Sequence, residues 1–589
     1  MPWAFLLIAL LVQTPSRPAA DDVRNRQTRD TDTHVALQTF ADRAAWETHR
    51  EGVRQRILSS AGLDPMPDRT PLSPRRTGRI ERDGYTVEKV VLETWPGFFL
   101  AGNLFMPATP GPHPAVVSPH GHWTYGRLEH SAIASVPARA QQLARQGHVV
   151  FIYDMVGYAE TTQIPHSFTG QAEQLWAFGP LGLQLWNSIR VVDFLESLPE
   201  VDKTRIGATG ASGGGTQVFL LAAIDQRIAY AAPVNMVSAY MQGGSMCENA
   251  PGLRHGISNL DIIASMAPRP MLLVSATGDW TKHAPTEEVP AIRTIYELYG
   301  AADKLTDQQF DAPHNYHQGS REAVYRFLNT QAFGKTAEVR EAGVRIETLP
   351  DMLVWDGQAR PRSALDLPGL FASWRDASRR QSEATTDVEA LRRRLAAVTG
   401  AAWPARVERD AAGVLSRSGV EDRVATWYRA GQGVPLVAVH PDGLDAGRAL
   451  PEVVEAVKRG RPVLVMEAFQ TGASAAPRSR GHNHFLTFNA SDDQARVQDV
   501  VTAVRWLQGA SQQAQVEVVS SGHARYWAGL AAVVAPAGTV RVAGGVSALA
   551  GDDASLARWC FMPGLQRAGG MGAVARVLGS GLEMHAPGV

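Results

Sequence analysis

The chain has few of the features that mark several classes of protein. It carries two cysteines, Cys247 and Cys560, in 589 residues, so a disulfide framework is excluded. Two unpaired, buried thiols are expected, and a single bridge between them is the alternative. It has no excess of basic residues: the formal net charge is −1, which argues against a nucleic-acid partner. The hydrophobic share of 44% and charged share of 20% are typical of a globular protein. At this length two or more domains are expected.

Long apolar runs are also absent, apart from a short one at the start. Residues 4–12 are all apolar, too few to span a bilayer but enough for the core of a signal peptide. We therefore predict a signal peptide over residues 1–20, and hence a secreted or periplasmic protein with no membrane span once the signal is removed. The preceding Met1-Pro2-Trp3 carries no Lys or Arg, so a misassigned start or an apolar tail remains an alternative.

Buried-strand patterns alternate with helical patterns along the chain. Apolar runs near 115–118, 149–153, 205–208, 230–235 and 271–275 are separated by helix-length segments. This alternation predicts a mostly parallel sheet with helices on both faces. The same alternation of strand and helix patterns recurs in the second half of the chain, with apolar runs at 434–443, 460–467 and 516–525. We predict one α/β domain over residues 21–335, with an N-terminal helical and β extension, and a second α/β unit of the same kind over 336–589.

A Gly-x-Ser-x-Gly sequence, Gly210-Ala211-Ser212-Gly213-Gly214, lies between a predicted strand and a predicted helix. Such a turn is too tight for large side chains and exposes the serine at the end of the strand. A serine hydroxyl is a weak nucleophile unless a base takes its proton. We predict Ser212 as the nucleophile and expect an acid and a histidine further along the chain.

Asp279 is the predicted acid. It follows the buried strand near 271–275, from where a carboxylate can orient a histidine and stabilise its charged form. A turn-capping role for this aspartate is the alternative. Asp303, Asp307 and Asp311 are rivals, but none directly follows a buried strand.

His314 is the predicted base, because imidazole titrates near neutral pH and can carry a proton in both directions. It lies in a loop before a helical segment at 320–330, and His317 is its competitor. The order Ser212, Asp279, His314 is the order of the α/β-hydrolase fold. We therefore predict that fold for the first domain.

An oxyanion hole requires two backbone donors. The N–H of Gly213 follows the nucleophile, and the N–H of His122 lies in the loop after strand 115–118. His120 and His122 could instead form a zinc pair, but no third ligand stands at metal spacing and a serine mechanism needs no metal. We predict no metal and no cofactor.

Substrate contacts are less defined. Glu248 and Arg254 lie between the nucleophile and the acid, where they could bind a polar substrate or pair with each other. Trp123 and Trp280 could stack against sugar rings, although tryptophan is more often a core residue. The predicted partner is a small-molecule or polysaccharide ester; oligomeric state is open.

The second unit is predicted to be degenerate and non-catalytic. Aligning Gly522 with Gly210 puts Ala524 at the position of the nucleophile, with Arg525 in place of a glycine. Too few residues follow for an acid loop and a distant histidine. A structural or substrate-shaping role is expected for residues 336–589.

Five segments together resemble bacterial acetylxylan-esterase-like proteins of the α/β-hydrolase superfamily, a group near dienelactone hydrolases. The segments are Pro119-His120-Gly121-His122-Trp123, Gly210 to Gly215, Cys247 to Pro251, Ser275 to Thr281 and Ala312 to Tyr316. The resemblance covers about residues 35–335 and implies an exported serine esterase that deacetylates plant polysaccharides. Two departures concern substrate class: Gly213 stands where glucuronoyl esterases carry arginine, and Met155-Val156-Gly157-Tyr158 replaces the Arg-Gly-x-Gly loop of cephalosporin-C deacetylases.

Two other functions remain as alternatives. A serine peptidase of the prolyl-oligopeptidase type would share the fold and the three residues, but it would carry a β-propeller, and no blade-length repeat is present. A non-catalytic carbohydrate-binding protein is the other alternative.

Overall fold

A computed structural model describes residues 21–544 and 549–579. The predicted signal peptide lies outside these residues. Two separate β-sheets, of nine and seven strands, organise the described chain.

The first sheet has the order β1-β2-β3-β5-β4-β6-β7-β8-β9. Strands β1, β2 and β3 pair antiparallel, as do β3 and β5, whereas every pair from β5 to β9 is parallel. The strands are β1 (Arg75–Arg82), β2 (Tyr85–Trp95), β3 (Phe98–Pro107), β4 (His113–Pro119), β5 (Val149–Tyr153), β6 (Val201–Ala211), β7 (Ile228–Val234), β8 (Met271–Gly278) and β9 (Leu305–Pro313).

Helices cover both faces of this sheet. Neighbouring residues of β4 belong to different apolar clusters on the two faces of the sheet. Val116 lies in the cluster that includes Ala140 and Leu328. Val117 lies in the cluster that includes Phe219. Alternation of this kind follows from the two-residue period of a strand. The helices are α1 (Val23–Arg26), α2 (Arg43–Ser60), α3 (Val136–Arg145), α4 (Gln171–Leu175), α5 (Pro180–Ser197), α6 (Gly213–Ile224), α7 (Asn259–Ala264), α8 (Glu288–Glu297) and α9 (Gln318–Phe333).

The second sheet has the order β10-β11-β12-β14-β13-β15-β16, and its pairs from β14 to β16 are parallel. Its strands are β10 (Val407–Arg409), β11 (Val414–Arg417), β12 (Val424–Arg429), β13 (Leu436–Val439), β14 (Val463–Met466), β15 (Val516–Ser520) and β16 (Val540–Val542). The remaining helices are α10 (Leu349–Met352), α11 (Leu367–Ala384), α12 (Val388–Thr399), α13 (Leu444–Arg448), α14 (Pro451–Lys458), α15 (Phe485–Phe488), α16 (Asp492–Ser511), α17 (Ala524–Val534), α18 (Asp553–Trp559) and α19 (Gly570–Leu578).

The α/β fold class is confirmed, and the differences from the sequence patterns are local. Residues 75–82 form β1 directly after a Pro/Arg-rich segment, and the long N-terminal helix α2 begins at Arg43. Residues 376–398 span the end of helix α11 and most of helix α12. Residues 575–578 form the end of helix α19, and the burial of Val574 and Val577, three residues apart, suits a helix with one face on the core.

The two sheets share one contiguous cluster of buried apolar side chains, which includes Trp46 beside the first sheet and Val437 of the second. The boundary between residues 335 and 336 therefore remains a prediction. Cys247 and Cys560 are both free and buried. Across residues 21–544 and 549–579, no helix is long and apolar enough to cross a membrane.

Candidate active site

Ser212 stands alone between β6 and α6 in a strained backbone conformation. Its φ of 57° and ψ of −130° lie outside the regions that ordinary residues favour. The turn is held by neighbouring structure, because the Ser212 N–H donates to the carbonyl oxygen of Val234 on β7 at 3.1 Å. The residue is 9% exposed. This is the geometry expected of a serine presented at the end of a parallel strand.

The glycines around Ser212 are required by close backbone contacts. A Cβ added to Gly210 would stand 2.6 Å from the carbonyl oxygen of Gly214, and one added to Gly214 would stand 2.7 Å from that of His120. A Cβ on Gly213 would overlap the imidazole ring of His122. The loop after β4 therefore packs directly on the serine turn, and only glycine leaves room for it.

Asp279 and His314 follow the ends of two adjacent parallel strands, β8 and β9. The Asp279 Oδ2 and the His314 Nδ1 are 2.8 Å apart, and the Asp279 side chain is almost fully buried. The other carboxylate oxygen, Oδ1, accepts hydrogen bonds from the N–H and the hydroxyl of Thr281, at 2.7 and 2.6 Å. The carboxylate is thus oriented from both sides, with one oxygen directed at the imidazole.

The His314 ring lies between two tryptophans. Its centroid is 4.4 Å from the ring of Trp280 and 5.9 Å from that of Trp123. Its second nitrogen, Nε2, is buried and has no hydrogen-bond partner in the described part of the chain. With Nδ1 bound to a carboxylate, Nε2 is the nitrogen available to accept a proton.

The rival residues have other contacts. His317 is the N-cap of α9, where its Nδ1 accepts a hydrogen bond from the Ser320 N–H at 3.2 Å. Asp311 accepts a hydrogen bond from the hydroxyl of Thr277 at 2.6 Å on the exposed side of the strands.

The two histidines of the 120–123 loop differ in their surroundings. Both ring nitrogens of His120 are occupied: Nδ1 donates to the carbonyl of Gly121 at 2.6 Å, and Nε2 accepts from the N–H of Met155 at 2.9 Å. Burial lowers the pKa of His120 to about 3, which keeps the ring neutral. This histidine ties the loop after β5 to the loop after β4. His122 instead faces the 243–254 segment, with its Nε2 3.0 Å from the Cys247 Sγ.

The structure places Glu248 and Arg254 inside that segment. The Glu248 carboxylate accepts from the N–H groups of Gly244 and Ser245, at 2.8 and 3.1 Å. Arg254 is 1% exposed and donates to the backbone carbonyl of Glu248 and to the Asn259 side chain. Burial lowers the pKa of Arg254 to about 9. Arg254 thus supports the loop from within, while Glu248 holds the turn that faces His122.

Three residues near the site carry no clear signal in the sequence. Thr281 orients Asp279, and only its position two residues downstream hints at this. His166 and Tyr158 pack their rings against each other, with centroids 4.8 Å apart, and His166 also lies 5.2 Å from His122. The contacts of His166 depend on folding of the loop after β5, which the linear sequence does not reveal.

Known proteins are similar to this chain in sequence or in structure. The family model for acetyl xylan esterase matches residues 183–247, which include the Ser212 turn. A solved structure described as methylesterase BT1017 is 29% identical, covers 60% of this chain and 77% of its own, and superposes with a TM-score of 0.50. The chain is similar to acetyl-xylan-esterase-like α/β-hydrolases. A putative hydrolase, YtaP of Bacillus subtilis (strain 168), is 27% identical over 264 residues, covering 41% of this chain and 86% of that protein.

These matches confirm the predicted resemblance and the α/β-hydrolase fold. They support a hydrolase of the carbohydrate-esterase kind. They do not bear on the individual site residues, which remain predictions supported by the geometry above.

Proposed function

We propose that the protein is an exported serine carboxylic-ester hydrolase that deacetylates carbohydrate esters such as acetylated xylan. The observation that carries this proposal is the 2.8 Å contact between Asp279 and His314 at the strand ends beside the strained turn of Ser212. We assign catalysis to residues 21–335 and no catalytic role to residues 336–589.

The proposed mechanism follows from this arrangement. The Ser212 hydroxyl attacks the ester carbonyl while the His314 Nε2 takes its proton, and Asp279 stabilises the resulting imidazolium. The backbone N–H groups of Gly213 and His122 stabilise the oxyanion. His314 then protonates the leaving alcohol, and water activated by the same nitrogen releases the acyl group.

The site has the surroundings that this chemistry requires. The Asp279 carboxylate is desolvated and held by Thr281, so it favours one orientation of the imidazole. Trp123 and Trp280 flank His314 and offer apolar surfaces against which a sugar ring can stack. Export is supported by the apolar run at residues 4–12 and is tested by sequencing the amino terminus of the secreted protein.

A second substrate class has a specific observation in its favour. The similar solved structure is described as a methylesterase, which favours an ester whose acid belongs to the carbohydrate and whose alcohol is methanol. The same serine mechanism serves both esters. They differ in which product is released, acetate or methanol.

The test is a comparison of initial rates for the parent and Ser212→Ala on 4-nitrophenyl acetate, acetylated xylan and a methyl-esterified acidic polysaccharide. Removal of the nucleophile should lower kcat by a factor on the order of 10⁴ or more. Acetate release from xylan supports the deacetylase, and methanol release supports the methylesterase. Equal rates for the two proteins contradict the serine mechanism and favour a carbohydrate-binding protein, while cleavage of peptides alone would favour the peptidase.

A further inference from the structure

Beside the proposed active site, three side chains with metal-binding atoms converge from distant parts of the sequence. They are His122 after β4, His166 in the loop after β5, and Cys247 in the segment after β7. One donor atom of each lies within 4.8 Å of the other two. Ligands about 2.0–2.3 Å from one tetrahedral zinc ion stand roughly 3.3–3.8 Å apart. The three donor atoms would therefore need to move by only about an ångström to coordinate one ion.

His166 has the orientation of a metal ligand. Its Nδ1 is 2.6 Å from the carbonyl oxygen of Val156, so this nitrogen carries the hydrogen and donates it. Its Nε2 therefore holds a lone pair, and that atom is buried with no hydrogen-bond partner among the described residues. A histidine that donates one N–H to a backbone carbonyl and presents the other nitrogen is the usual arrangement around zinc.

His122 and Cys247 already face each other. The His122 Nε2 lies 3.0 Å from the Cys247 Sγ and 3.2 Å from the Ser245 hydroxyl. Its Nδ1 is directed towards the Glu248 carboxylate, 3.9 Å away. The donor atoms of His122 and Cys247 therefore already stand about as close together as two ligands of one ion.

We propose that His122, His166 and Cys247 form a binding site for a soft or borderline divalent cation, with Zn²⁺ the best fit. Two imidazoles and one thiolate are a ligand set that zinc accepts, and the Ser245 hydroxyl or a water completes four-coordination. On binding, the Cys247 S–H bond breaks, a sulfur–zinc bond forms, and the proton leaves to solvent.

The site lies next to the predicted oxyanion donors. The His122 ring touches the position that a Cβ of Gly213 would occupy, and His120 does not take part because both its nitrogens are bound. A bound cation would place a fixed positive charge beside Ser212. The expectation from sequence that no metal binds depended on the absence of a third ligand; folding supplies two ligands, His166 and Cys247, that lie 44 and 125 residues from His122.

The experiment uses the full chain, stripped with a chelator and titrated with Zn²⁺ and with Co²⁺. We expect one ion per chain by calorimetry and, with Co²⁺, an intense near-ultraviolet thiolate-to-metal band. Binding should release about one proton when measured above neutral pH. Cys247→Ser should abolish the band, and Cys247→Ser and His166→Ala should each weaken Zn²⁺ affinity at least about 100-fold.

Cys560→Ser is the matched control, because Cys560 is equally buried and free but lies in the second unit. It should leave both the stoichiometry and the cobalt band unchanged, and circular dichroism checks that each variant is folded. Absence of stoichiometric binding to the parent would overturn the proposal. So would unchanged affinity in Cys247→Ser and His166→Ala. Because binding is measured without any ester, the result is independent of the proposed hydrolase activity.

Discussion

The two sheets have the same strand order through seven strands but differ at one edge. The order β1-β2-β3-β5-β4-β6-β7 of the first sheet is repeated by β10-β11-β12-β14-β13-β15-β16 of the second. The first sheet continues with β8 and β9, whose ends carry Asp279 and His314; the second has no counterpart of either among the described residues. Among the described residues, both sheets thus have the strands that would position a nucleophile, whereas only the first has the strands whose ends carry the predicted acid and base.

The turns at the matching positions also differ. Ser212 has a φ of 57°, whereas His523, which precedes α17, has a φ of −77° and Ala524 is already the first residue of the helix. The His523 ring packs against Trp559 with centroids 5.2 Å apart, so a side chain fills the space beside this turn. A shared topology therefore supplies the core of both units, whereas the proposed site also requires a strained, glycine-lined turn and two additional strands.

The second unit nevertheless contributes to the surroundings of the site. The N–H of Gly252 donates to the carbonyl of Leu486 at 2.7 Å, and that of Arg254 to the carbonyl of Thr487 at 2.9 Å. A cleft of about 240 Å³ lies between residues 246–251 and residues 484–487. Because the 243–254 segment also contacts His122, these bonds couple the second unit to the loop beside Ser212. This supports the proposed substrate-shaping role.

The largest expected difference between the sheets concerns the proposed acid, Asp279, at the end of β8. Asp279→Asn should lower kcat by about 10³–10⁴-fold, because the amide no longer stabilises the imidazolium and favours the wrong tautomer of His314. The measurement is steady-state hydrolysis of 4-nitrophenyl acetate. Asp311→Asn, which changes the nearby exposed carboxylate bonded to Thr277, should stay within about twofold of the parent. The reverse ranking would make Asp311 the acid.

Loss of a buried ion cluster beside the first sheet should lower the free energy of unfolding more than loss of an ion pair in the second sheet. Arg127 is fully buried, lies 2.5 Å from both oxygens of Asp154 and also pairs with Glu160. Arg127→Met leaves two buried carboxylates unpaired and should lower the free energy of unfolding by about 3–5 kcal/mol. Urea denaturation followed by tryptophan fluorescence measures it.

The matched change in the second sheet is Arg461→Met, which removes the partly exposed pair with Glu517, 2.5 Å away. Solvent screens that pair, so the loss should be about 1 kcal/mol or less. Equal losses for the two variants would mean that the loops around the first sheet are no more dependent on buried charge than those of the second.

Much of this arrangement was accessible from the sequence, for identifiable reasons. The Ser212 turn is a local signal of glycines between a strand and a helix, and Asp279 and His314 each directly follow a strand. The cluster of His122, His166 and Cys247 was missed because it depends on contacts between three loops. The β1 strand was missed because its residues 75–82 are charged and largely exposed, and only pairing with β2 makes them a strand.

Acid should weaken the first unit through His148, which lies at the start of β5. Burial lowers its pKa from 6.5 to about 4, and its Nε2 donates to the Asn329 side chain at 2.9 Å. As pH falls, His148 of the unfolded chain takes up a proton before His148 of the folded chain does. The contribution of His148 to the free energy of unfolding is therefore constant above about pH 6.5 and declines between about pH 6.5 and pH 4. The loss is up to about 3 kcal/mol.

His148→Gln retains a donor for Asn329 and should flatten that decline, as measured by urea denaturation at a series of pH values. His523 of the second unit is less buried, and burial lowers its pKa as well, so His523→Gln should flatten the decline by a smaller amount. A slope unchanged by His148→Gln would show that other groups cause the acid sensitivity.

The smallest expected effect is a test of the degenerate turn itself. Ala524→Ser in the Ser212→Ala protein should restore no hydrolysis, with rates within about twofold of the single variant on 4-nitrophenyl acetate. A serine at the start of α17 has helical backbone geometry, and no acid–histidine pair stands beside it in the described residues. Recovery by tenfold or more would contradict this expectation, because the two units would then differ in the hydroxyl at this position and not in counterparts of strands β8 and β9. If no activity is recovered, the two units differ functionally at the edge of the first sheet formed by β8 and β9, because a nucleophile without a positioned base cannot be activated.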